Sequence, residues 1–146
     1  MLEFLYEGQI QLIPDVLHFT YVENTGMAFG LLSDHRWVFM LLSVIGIAAV
    51  AVYMYFFVKS RLGRVSLSLI VGGGIGNMID RVRLGYVIDF LDFYLFPEVW
   101  PWVFNVADAC VCVGGGILFV WCVIELVKEM RNKKAEEPTE KENTNE

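Results

Sequence analysis

Residues 72–93, GGGIGNMIDRVRLGYVIDFLDF, and residues 101–108, PWVFNVAD, put Asp80, Arg81, Arg83, Asp89, Asp92 and Asp108 between apolar runs of the kind that sit in lipid. Ionisable groups at the edge of a hydrocarbon layer are costly unless paired or set in a wet cavity, so their first reading is functional. Whether these groups face lipid at all depends on the chain around them.

That chain is strongly apolar. Its 146 residues are 56% hydrophobic and its mean hydropathy is +0.53, above the roughly 45–50% apolar share of an ordinary soluble domain. Membrane residence follows. The net charge of -6 does not suit a nucleic-acid partner, and the basic residues sit beside apolar runs instead of forming a stripe. Nucleic acid is therefore set aside.

Outward from the central stretch, three runs read as spans. Trp37 to Val58 carries no charge and is long enough to cross about 30 Å as a helix. Val65 to Ile79 is a shorter second span, rich in small residues; Gly72 and Gly76, four apart, permit close helix approach. Phe104 to Val127 is the third. Lys59, Arg61 and Arg64 follow the first run, and Lys128, Arg131, Lys133 and Lys134 follow the third, so both clusters mark the cytoplasmic side. The central stretch then lies at the outer face.

Before Trp37 no segment reads as a span, and the acidic start MLEFLYEGQ does not look like a signal peptide. After the Pro14-Asp15 turn signal, Leu17, Phe19 and Tyr21 alternate with His18, Thr20 and Val22, the period of a half-buried strand. Ile10 and Leu12 are its candidate partner strand. Tyr86, Ile88 and Phe90 form a weaker third candidate, and the aromatic run DFYLFPEVWPW belongs in the headgroup layer.

The expected fold is thus an integral membrane, mainly α-helical protein: three transmembrane helices with a small extracytoplasmic β-rich region. Residues 1–127 form a single membrane-embedded domain, and 128–146 a charged cytoplasmic tail, disordered from about Lys134. Cys110, Cys112 and Cys122 lie within one apolar run at no metal-binding spacing, and read as small packing residues. With this topology the N-terminus lies outside with no preceding span, so a further apolar segment upstream of Met1 is expected.

Asp89 and Asp108 belong to segments that meet at the outer surface. If the segments converge, repulsion raises one carboxyl's pKa, and the pair holds a single proton. Such a pair can activate a water with one member and protonate a scissile amide with the other. The ordinary alternatives stay open: Asp108 as a helix N-cap or dipole acid, and Asp89 as a solvated loop acid. Asp80 and Arg81 read as a structural pair, with Arg81 and Asn77 able to meet a substrate. Asp92 reads as a second, solvated loop acid. In ENTGMAFG, residues 23–30, Asn24 and the glycines are either a turn or part of the site.

Together these motifs resemble a known family. ENTGMAFG is similar to the Asn-x-Gly-x-Ala-Phe signature of bacterial lipoprotein signal peptidase (signal peptidase II), GNMIDR to its Gly-Asn-x-x-Asp-Arg motif, and VIDF and FNVAD to the segments that carry its two catalytic aspartates. The resemblance covers roughly Gln9 to Val127. It implies a membrane aspartic endopeptidase that removes signal peptides from diacylglyceryl-modified prolipoproteins, cutting before the lipidated cysteine, without a cofactor or metal. Asp89 and Asp108 would be catalytic; Asn24, Gly26, Asn77, Arg81, Asn105 and Ala107 would contact substrate. The implied setting is the bacterial cytoplasmic membrane, with the site at the extracytoplasmic face, membrane lipids around it and globomycin-type peptides as inhibitors.

The sequence departs from the family pattern at its start, where members carry a further span with an Asp-Gln-x-x-Lys-like element. A truncated, non-catalytic paralogue that binds lipidated peptides or a partner helix is the alternative. An ion or proton pathway fits less well, because the acids gather at one face and do not run along a span.

Overall fold

A computed structural model of the chain describes residues 10–25, 36–94 and 102–143. These form strands β1 (Ile10–Ile13) and β2 (Leu17–Asn24), helices α1 (Arg36–Phe57) and α2 (Arg61–Arg83), strands β3 (Val87–Phe93) and β4 (Val103–Phe104), and helix α3 (Val106–Asn143). Three of its helices are long and apolar enough to cross a bilayer, with mean hydropathy 2.2 over Met40–Phe57, 1.3 over Arg61–Arg83 and 2.3 over Val106–Lys134.

Two boundaries differ from the sequence reading. The second span is longer than Val65 to Ile79. Ser60 caps it, its Oγ accepting from the Gly63 amide at 3.5 Å, and the far end stays helical through Asn77, Asp80 and Arg81. It stops where Gly85 takes φ 91°, its amide donating to the Arg81 carbonyl at 3.2 Å, the left-handed stop that glycine makes cheaply. The third helix runs to Asn143, so residues 134–143, read as disordered from composition, have helical backbone. Lys and Glu, frequent in this segment, are good helix formers, and Lys133 pairs with Glu129 at 2.8 Å one turn back.

The strands form one antiparallel sheet in the order β1-β2-β3-β4. The hairpin expected at Pro14-Asp15 is present: the Val16 amide donates to the Ile13 carbonyl at 3.1 Å, and Asp15 takes the left-handed φ of 58° that its short polar side chain tolerates. Ile10 pairs with Phe19 and Ile13 with Leu17.

The period-2 reading of β2 fails part-way. Phe19 pairs with Leu91, but the next pair is Val22 with Asp89, so β2 carries one residue more than β3 between them. A bulge of this kind reverses which side chains face which side. Past it, Asn24 shares a face with Asp89, which uninterrupted alternation from Phe19 would have given to Glu23.

Chain order puts the sheet at one end of the helices: β3 follows the end of α2, β4 leads into α3, and the short α1–α2 link lies at the other end. Large apolar side chains such as Trp37, Leu41, Phe56 and Phe119 are exposed on the helices, as expected where lipid replaces a protein core. Burial concentrates where α2 meets α3, at Gly63, Ser66, Leu67, Gly73 and Gly114. A β-carbon on Gly73 would run into the Ala107 carbonyl oxygen, and one on Gly114 would lie 2.7 Å from the Ser66 oxygen. The close approach expected at Gly72 and Gly76 is therefore made by Gly73, with Gly76 beside Ala107, while Gly72 faces open space.

Candidate active site

Asp108 reaches its position through the cap of α3. The Asn105 side-chain oxygen accepts from the Asp108 amide at 3.0 Å, and the Asp108 Oδ2 accepts from the Asn105 amide at 3.2 Å. This reciprocal pair is a capping box with a shorter acid. The cap role considered for Asp108 thus belongs mainly to Asn105. The remaining oxygen, Oδ1, accepts from the Asn77 Nδ2 at 2.7 Å, which ties the start of α3 to the last turns of α2.

Asp89 comes from the sheet. It is 2% exposed, so the reading of a solvated loop acid is corrected: β3 is a central strand, and the acid faces inward. Its Oδ2 accepts from the Asn24 Nδ2 at 2.9 Å and its Oδ1 from the Asn105 Nδ2 at 2.7 Å. The same Asn105 nitrogen donates to the Asn77 side-chain oxygen at 3.0 Å.

The structure therefore gathers Asn24, Asn77, Asp89, Asn105 and Asp108 into one hydrogen-bonded cluster, although they come from β2, α2, β3, the β4–α3 junction and α3. Asn105, 5% exposed, holds both acids, one through its side chain and one through its backbone. Every donor is a neutral amide, which remains a donor whatever the acids' protonation. Each oxygen keeps a further lone pair for a proton or a water.

Electrostatics separate Asp89 from an ordinary surface carboxylate. Burial holds the Asp89 carboxyl above its usual value of 3.8; the amides of Asn24 and Asn105 pull the other way, the Asp108 charge adds to the rise, and the Arg81 cation opposes it. A buried carboxyl beside a second one favours a shared proton. Arg81 lies within electrostatic reach of Asp80, Asp89 and Asp108 and donates to the Asn77 carbonyl at 3.4 Å.

The other expected positions divide. Ala107 does not join the cluster; its carbonyl and methyl face Gly73 and Gly76 of α2, so it spaces the helices beneath the acids. Gly26 lies outside the described residues, as does most of the aromatic run after Tyr94. Asp80, read as structural, accepts at its Oδ2 from the Ile88 amide at 3.4 Å. Asp92 is not a free loop acid: it sits in β3 and accepts from the Thr20 hydroxyl at 3.0 Å.

One side of the site went unread in the sequence. A groove of about 350 Å³ extends from Asn77, Arg81 and Asp108 along α1, where Ser43, Gly46 and Ile47 form its wall. The one available signal was the spacing of two small residues, Ser43 and Gly46, on one helical face, which an all-apolar span hides.

This arrangement can be set beside known proteins. A family model for signal peptidase (SPase) II matches residues 1–124. The chain belongs to the signal peptidase II family. Similar members are named lipoprotein signal peptidase: that of Halothermothrix orenii is 45% identical over 114 residues, covering 77% of this chain and 75% of its own. That of Clostridioides difficile is 39% identical over 128 residues, covering 85% and 80%. A solved bacterial membrane enzyme, determined by the in meso method, superposes with TM-score 0.69 at 34% identity, over 86% of this chain and 74% of that one. As a signal peptidase II family member the chain is a protease and a multi-pass membrane protein.

Proposed function

We propose that Asp89 and Asp108 are the catalytic pair of a membrane aspartic endopeptidase acting on prolipoproteins. Signal-peptide removal from prolipoproteins is the activity of the family to which the chain belongs; the residue roles below are our assignment. The observation that carries them is Asn105, a single buried residue that donates to both carboxylates.

In this reading the pair enters the reaction with one proton. The ionised member removes a proton from a water, which attacks the carbonyl carbon of the scissile bond, and the protonated member donates to the departing nitrogen. Burial favours the protonated form of Asp89 at the start. Asn24, Asn77 and Asn105 keep the carboxylates oriented, so little reorganisation is left for the transition state. Arg81, at the outer end of the groove, can meet a substrate carbonyl, and Gly26 completes the substrate-contacting set by resemblance. The bond cut is the one before the diacylglyceryl-bearing cysteine.

The setting we assign is the bacterial cytoplasmic membrane. Lys59, Arg61 and Arg64 lie at one end of the helices and the sheet at the other, so the positive-inside rule puts the sheet and the acids at the extracytoplasmic face. Membrane lipids then surround the helices, and a globomycin-type peptide would compete for the groove. Residues 1–127 act as one peptidase unit, with 128–146 as a charged cytoplasmic tail.

The test is processing of a lipidated prolipoprotein in proteoliposomes. Asp89→Asn and Asp108→Asn should each insert normally and lower the rate by on the order of 10³-fold or more. Cleavage at the unaltered rate by either variant removes that acid from the mechanism. A chain that binds lipidated peptide and cleaves none would be the non-catalytic paralogue.

A further inference from the structure

The groove that ends at Asp108 has two glycines in its walls, and they are not equivalent. A β-carbon on Gly74 of α2 would lie 3.0 Å from the Ile47 side chain, so that wall is already filled from across the groove. A β-carbon on Gly46 of α1 would meet nothing within 4 Å. Gly46 lies three residues after Ser43 and four before Val50, all on the groove-lining face of α1. Its missing side chain is therefore free volume in the groove itself.

The groove's chemistry describes its occupant. Its outer end is polar, with Asn77, Arg81 and Asp108; further along, Ile47, Val50 and Val111 are aliphatic. A chain that puts a peptide group at the acids and an aliphatic side chain just before it matches both ends. The apolar stretch of a signal peptide next to its cut has that form.

We propose that Gly46 is a specificity-determining residue, whose bare backbone makes room for an aliphatic substrate side chain close to the scissile bond. This rests on the peptidase reading of Asp89 and Asp108 and concerns which side chains the same site admits. Filling the recess would exclude the larger substrates first, since a tight apolar pocket discriminates by about tenfold or more for a methylene-scale change.

The experiment uses the full chain in proteoliposomes and lipidated prolipoprotein pairs that differ only by Ala or Leu, scanned over the positions before the lipidated cysteine. At one position Gly46→Leu should lower the Leu-to-Ala ratio of kcat/KM at least tenfold. Gly46→Ala, which improves helix propensity and so safeguards insertion, should move the ratio less, in the same direction. Gly116→Leu, a change at an equally open glycine on α3 away from the groove, should leave it alone. A ratio unmoved by Gly46→Leu at every position, or moved as far by Gly116→Leu, overturns the assignment while the dyad stands. Failure of the unaltered chain to cleave any substrate overturns the dyad, and this inference with it.

Discussion

The seam between α2 and α3 and the seam between α1 and α2 are both lined by glycine, yet they do opposite things. Along the first, Gly73 and Gly114 let backbone touch backbone, and a β-carbon at either would strike a carbonyl oxygen. Along the second the helices part around a groove, and Gly46 contributes space. In a membrane, where lipid is as apolar as any side chain, close backbone contact is a principal way to hold helices together. Glycine closes the seam that holds Asn77 against Asp108, and it opens the one proposed here to admit a substrate side chain.

The largest effect that would break this contrast is at Gly73. Gly73→Val drives a branched side chain into Ala107 and Val111, and overpacking of this kind costs about 1–3 kcal/mol or more. Because the Asn77–Asp108 bond lies one turn further along the same seam, folded yield and activity should fall together, read by thermal unfolding in detergent and by processing rate. Normal values of both would show that the seam is looser than described.

A smaller effect separates the proton chemistry from either seam. Asn24 belongs to the sheet, and its amide favours ionised Asp89. With Asn24→Ala that favour is lost, so the Asp89 carboxyl rises further above its ordinary value. If Asp89 carries the working proton, as proposed, its loss limits activity on the alkaline side, and that limb should move to higher pH. The pH profile of kcat/KM reads this, and a limb that stays put or moves down assigns the proton elsewhere.

The smallest effect is expected at Gly72. It sits next to Gly73 in sequence but faces open space, so Gly72→Ala should leave activity unchanged and shift stability by no more than about 1 kcal/mol, towards the more helical variant. A loss comparable to that at Gly73 would mean that both faces of α2 are packed.

Much of this was legible in the residues themselves. The helices were marked by long apolar runs and the basic clusters that end them, because a bilayer imposes a fixed length and a charge asymmetry on any chain that crosses it. The hairpin at Pro14-Asp15 was marked by its turn chemistry. Asp89, Asp108, Asn77 and Asn105 stood out because polar groups are conspicuous beside lipid.

What one dimension could not carry was which groups meet. The bulge in β2 hands the inward face to Asn24 instead of Glu23, and no pattern of hydrophobicity announces an extra residue in a ladder. Gly72, Gly73 and Gly74 are identical in sequence, yet one faces open space, one lies in a seam and one faces Ile47. Their azimuth on the helix, and what stands opposite, decides between them. The sequence by itself determined a membrane protein with acids at one end of its helices; only the tertiary structure decided that one asparagine ties two of those acids together. Hydrophobic periodicity is a property of each segment alone, whereas a hydrogen bond between segments depends on how the whole chain is packed.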